Sequence, residues 1–68
     1  MMMPVHINGE PHLVEDGWRL EALLADLDLS GSRIAVEVNE EVVPASRRAD
    51  TVLAAGDCIE IVHAIGGG

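Results

Sequence analysis

Sixty-eight residues make one small domain, near the lower size at which a hydrophobic core forms without staples. Four arginines, no lysine and twelve acidic residues give a net charge of −8, which makes nucleic acid and anionic membranes poor partners. The single cysteine, Cys58, excludes an internal disulfide, and no stretch approaches the roughly 18–20 apolar residues of a membrane span, so the expectation is a soluble, cytoplasmic protein. The start, Met1-Met2-Met3-Pro4, has neither the basic segment nor the apolar run of a signal peptide.

Val5-His6-Ile7 alternates as a strand does, and Asn8-Gly9 is a strong hairpin signal before Pro11-His12-Leu13-Val14. Placing Leu13 on the inner face with Val5 and Ile7 requires a three-residue loop, Asn8-Gly9-Glu10. That register sets Ile7 opposite Pro11 and His6 opposite His12. Glu15-Asp16-Gly17 is a second turn. Leu20, Leu23, Leu24 and Leu27 then fall at i, i+3, i+4 and i+7, which predicts an amphipathic helix from roughly Trp18 to Asp28. Its start is poorly marked, because Asp16 lies early and Trp18 is not a capping residue. Ser30-Gly31-Ser32 is its expected end.

Ile34-Ala35-Val36-Glu37-Val38 is the clearest strand. Asn39-Glu40 turns into the short strand Glu41-Val42-Val43, which Pro44 stops, and Ala45 to Asp50 reads as a loop or a single helical turn. Thr51-Val52-Leu53 leads to the Ala55-Gly56-Asp57 turn, and a last strand runs from Cys58 to Ile65 with Ile59 and Ile61 on one face. The order is β-β-α-β-β-β: an α+β roll with one helix covering one face of a mixed sheet. If the last strand pairs with the first, it sits mid-sheet and projects the C-terminal residues into solvent.

Those residues are Gly66-Gly67-Gly68. Three terminal glycines arise by chance on the order of a few times in ten thousand. Such a tail packs nothing and is costly to order, so it suits a flexible strand threaded through a narrow channel to a reactive carboxylate. A frayed end or an expression scar is the competing reading. The absence of lysine removes the side-chain amines that would capture an activated terminal carboxyl. A coding bias from Lys to Arg accounts for the same fact.

Other candidate sites are weaker. His6 and His12 supply two metal ligands where a structural zinc site needs four, and Cys58 is far along the chain, so no metal is expected. Cys58 has no base and pocket in view and reads as a half-buried filler. Trp18 reads as a cap on the core, with an interface anchor as the alternative. Arg47-Arg48 is too short for nucleic acid and reads as a solvated loop or a local salt bridge. No phosphate loop, paired catalytic carboxylates or Ser-His-Asp spacing is present, so the chain is not expected to be an enzyme.

The ordered set Asn8-Gly9-Glu10, Leu20-Glu21-Ala22-Leu23-Leu24, Val38-Asn39, Val42-Val43-Pro44, Val52-Leu53, Gly56-Asp57, Ile59-Glu60-Ile61-Val62 and Gly66-Gly67-Gly68 covers nearly the whole chain. It resembles the ThiS family of ubiquitin-like β-grasp sulfur carriers of thiamine biosynthesis. The chain departs from the family at Ala45 and Arg48, where many members have arginine and tryptophan, and at Trp18, where most start the helix with threonine. The resemblance implies a β-grasp domain over 1–65 and a glycine tail over 66–68. It further implies that an E1-like, ThiF-type adenylyltransferase uses ATP and Mg²⁺ to adenylate Gly68. A sulfur donor such as a cysteine desulfurase then converts Gly68 to a thiocarboxylate, which serves a ThiG-type thiazole synthase. Gly66 and Gly67 thread the partner's active site, and His63 and Ile65 are candidate partner contacts. The chain itself binds no cofactor in this reading. Alternatives are a molybdopterin-synthase small subunit or another pathway's carrier, although those relatives are longer and richer in Phe; a ubiquitin-like modifier of lysines; and a β-grasp interaction domain with incidental glycines.

Overall fold

The computed structural model describes residues 1–29 and 33–63. The elements are β1 (Met2–Ile7), β2 (Glu10–Glu15), α1 (Leu20–Asp26), β3 (Ile34–Val38), β4 (Glu41–Val42), a 3-10 helix (Ala45–Asp50) and β5 (Cys58–His63). The strands form one sheet in the order β2-β1-β5-β3-β4. β5 is parallel to β1 and antiparallel to β3, so the last strand is central, as the mid-sheet expectation requires.

Alternation within the strands builds the core. Met3, Val5 and Ile7 of β1, Ile34 and Val36 of β3, and Ile59 and Ile61 of β5 face α1, which buries Leu20, Leu23 and Leu24 against them. Val14 and Leu53 complete this layer, and Trp18, Leu27, Leu29, Val38 and Val43 seal its rim. Trp18 therefore caps the core. No charged or polar side chain among the described residues is buried, so the core is held by apolar burial alone.

The first hairpin departs from the predicted register. Ile7 pairs with Glu10, His6 with Pro11, Val5 with His12 and Met3 with Val14, which leaves a two-residue Asn8-Gly9 loop. Both loop residues have positive φ, 51° and 85°, the type I′ geometry whose twist suits a hairpin. Turn chemistry prevails over the parity of one leucine: Val14 is buried, while Leu13 is 65% exposed on the other face. His6 and His12 accordingly sit on opposite faces rather than across from each other.

The helix ends also differ. Arg19 stands at the N-cap position without a side-chain cap. Tertiary pairing does the capping: Leu20 N–H donates to the Thr51 carbonyl (2.8 Å) and Leu53 N–H to the Trp18 carbonyl (2.9 Å), around an Arg19–Val52 bridge. At the other end Asp28 takes a left-handed φ of 61°. Its N–H bonds to the Ala25 carbonyl (3.0 Å) and that of Leu29 to the Leu24 carbonyl (2.8 Å), a Schellman motif with aspartate in the usual glycine position. The helix thus stops before Ser30-Gly31-Ser32, which lie outside the described residues.

The segment after Pro44 forms the predicted helical turn, extended to a six-residue 3-10 helix. Arg48 is half-buried and its Nη2 donates to the Ile34 carbonyl at 2.9 Å, tying this segment to the start of β3. It is neither a solvated loop residue nor half of a salt bridge in this contact. The second hairpin repeats the type I′ form, with Asn39 and Glu40 at φ 52° and 72° between Val38 and Glu41.

Candidate functional site

The sequence places its candidate chemistry beyond the end of β5, and the fold makes β5 the central strand, paired to β1 and β3. Ile59 and Ile61 are buried beneath α1, while Cys58, Glu60 and Val62 face away from it. On the β3 side, pairing runs from Val38–Ile59 to Ile34–His63. On the β1 side, strand pairing covers only His6–Cys58 and Ile7–Ile59, because β1 turns away at Asn8.

Two asparagine side chains fill the gaps at the hairpin corners. Asn8 Nδ2 donates to the Ile61 carbonyl (3.2 Å) and its Oδ1 accepts from the Ile61 N–H (2.8 Å). The backbone N–H of Asn8 bonds to the Ile59 carbonyl (2.8 Å). Across the sheet, Asn39 Oδ1 accepts from the Cys58 N–H (3.0 Å) while its own N–H donates to the Cys58 carbonyl (2.7 Å). Asn39 Nδ2 reaches Asp57 Oδ1 (2.9 Å), and Asp57 Oδ2 accepts from the Ala54 N–H (2.8 Å). The central strand is thereby clamped at its first residue, Cys58, and at Ile61, two residues before its last, by side chains that imitate a neighbouring strand. Sequence reading takes Asn8 and Asn39 as turn formers only; their partners lie 53 and 19 residues away, and no local pattern announces them.

Of the predicted site residues, His63 is the one within the described chain. It is exposed at the last position of β5, opposite Ile34. Ile65, Gly66, Gly67 and Gly68 lie outside the described residues. Cys58 is exposed rather than half-buried, since its position in β5 points away from the helix. Its Sγ lies 3.9 Å from the Gly56 carbonyl, in a shallow recess of about 280 Å³ shared with His6, Gly9 and Glu60.

The uncovered sheet face carries exposed Met2, Leu13, Val42 and Val62. Near its middle Glu37 and Glu60 stand directly opposite each other. A second groove, about 480 Å³, lies between β4 and the segment before β5, with Val42, Pro44, Arg47, Val52 and Asp57 on its walls. No helix of the described residues is long and apolar enough to cross a membrane.

Comparison with known proteins adds to this geometry. The chain is 47% identical over 66 residues to a protein of Magnetococcus marinus named thiazole synthase, covering 97% of this chain and 20% of that protein. A thiazole synthase of Paramagnetospirillum magneticum is 42% identical over the same length and with the same coverage. The chain spans about a fifth of the length of these curated relatives. The crystal structure of a thiamine biosynthesis protein (ThiS) from Geobacter metallireducens superposes with a TM-score of 0.84 at 29% identity, over 97% of this chain and 100% of that one. This is the ubiquitin-like β-grasp fold. The model of the ThiS family matches residues 5–68, from the first strand through the glycine tail, and the chain belongs to that family.

Proposed function

We propose that this chain is a sulfur carrier for thiamine thiazole synthesis, a protein co-substrate rather than an enzyme, and that the carboxylate of Gly68 is its working group. The observation that carries the reading is the family match through residue 68, which joins the terminal glycines to a fold whose last described strand, β5, is central in the sheet. The likeness of the whole chain to part of two proteins named thiazole synthase supports that enzyme class as the sulfur acceptor.

The chemistry follows from the carboxylate. An ionised carboxylate is a poor electrophile with no usable leaving group, so it must be activated. In a ThiF-type adenylyltransferase, supplied with ATP and Mg²⁺, a Gly68 carboxylate oxygen attacks the α-phosphorus. The bond to the bridging oxygen breaks, pyrophosphate leaves, and the acyl-adenylate remains. The terminal sulfur of a persulfide, such as one formed on a cysteine desulfurase, then attacks the acyl carbon and expels AMP. A thiol cleaves the resulting S–S bond, leaving a disulfide and the Gly68 thiocarboxylate. Sulfide gives the same thiocarboxylate directly. The absence of lysine leaves the acyl intermediate no ε-amine of its own chain to react with.

Gly66 and Gly67 present no Cβ to the walls of a partner's channel, and Ile65 and His63 contact its entrance. The test is Gly67→Val, assayed by ATP–pyrophosphate exchange with a ThiF-type enzyme. The urea unfolding midpoint stays that of the parent chain and exchange is lost. Exchange at the parent rate would overturn the threading role of the tail.

A further inference from the structure

We infer that Asn8 is a positioning residue for the tail: its side chain sets the point up to which β5 is held on both sides. This inference rests on the carrier reading. The β1 backbone can pair with β5 only as far as Ile7 and Ile59, because the chain reverses at Asn8-Gly9. In parallel pairing the next rung falls at Ile61. The Asn8 carboxamide supplies it, donor to carbonyl and acceptor to N–H, from an exposed turn position against the backbone of buried Ile61. For the described residues beyond Ile61, Val62 and His63, pairing is on the β3 side, through Ala35–Val62 and Ile34–His63.

Strand ends open at little free energy, so one rung near the end changes the frayed population appreciably. With Asn8 in place, the path from Ile61 to Gly68 starts from a fixed point seven residues before the terminus. Without it, residues 60–63 behave as an edge strand, and a partner must first reorder them before the carboxylate reaches its active site. The cost falls on formation of the productive complex, not on the chemical step. Asn39 clamps the opposite end of β5, at Cys58, and is the internal control.

The experiment compares the full-length parent with Asn8→Gly and Asn39→Gly. Glycine tolerates the positive φ of both positions, so each change removes a side-chain clamp without backbone strain. Amide hydrogen exchange at Ile61, urea unfolding, and steady-state adenylation by a ThiF-type enzyme are measured on all three. For Asn8→Gly the Ile61 amide loses protection and the KM for the carrier rises about three- to tenfold at unchanged kcat. For Asn39→Gly, KM stays at the parent value. Parent KM in Asn8→Gly, an equal rise in both variants, or a fall in kcat alone would overturn the inference while leaving the carrier reading intact. Failure of the parent chain to be adenylated would overturn both. Should Asn8→Gly prove unfolded by urea titration, Asn8→Asp, which keeps the acceptor and replaces the donor by a carboxylate oxygen facing the Ile61 carbonyl, carries the same comparison.

Discussion

Among the described residues, four that are not glycine hold positive φ, and the sequence explains them unequally. Asn8 and Asn39 use a short polar side chain to make the left-handed region tolerable, and each gains a clamp on β5 in return. Asp28 closes the helix as a Schellman residue. Glu40, at φ 72° in the second type I′ turn, is exposed and has no compensating contact of this kind. Glycine is the preferred residue there, and Glu40→Gly should raise stability by about 1 kcal/mol, read as a higher urea midpoint with an unchanged slope. A neutral or destabilising result would show that the Glu40 side chain contributes something the backbone geometry does not reveal.

Among the elements, the β1–β2 hairpin separates what local patterns convey from what they do not. The strands, their order and the Asn-Gly turn are all legible, because alternation and turn chemistry are local. The register is not, because the buried partner of β2 is Met3 rather than Val5, and Met3 stands in an unpatterned methionine run. The observed pairing makes a sharp prediction: Val14→Ala costs about 2 kcal/mol, while Leu13→Ala changes stability by less than about 0.5 kcal/mol. The reverse order in chemical denaturation would favour the three-residue loop. The helix shows the same division. Its apolar stripe is plain in the sequence, but its N-terminus is capped by backbone from residues 51–53, more than 25 positions away, and so carries no local signal. Cys58 departs from its expected half-burial for a related reason: a strand residue's burial depends on which face receives the helix, and only Ile59 and Ile61 receive it here.

At the scale of the molecule, a single apolar layer under one helix holds a central strand whose continuation is the glycine tail. The β-grasp order and the tail are both legible in 68 residues, and the family match joins them. The anchoring of the tail-bearing strand is not legible, because it depends on two asparagines meeting β5 across the sheet. The net charge of −8 repels polyanions, and the uncovered face exposes Met2, Leu13, Val42 and Val62. Within the carrier account, all of this presents one carboxylate. The most direct measurement is the intact mass of the full chain after incubation with ATP, Mg²⁺, a ThiF-type adenylyltransferase and sulfide. The account predicts a mass gain equal to one oxygen-for-sulfur exchange, absent when Gly68 is deleted. An unchanged mass, under conditions where the same enzyme loads another ThiS-family carrier, or a gain that survives deletion of Gly68, would contradict it.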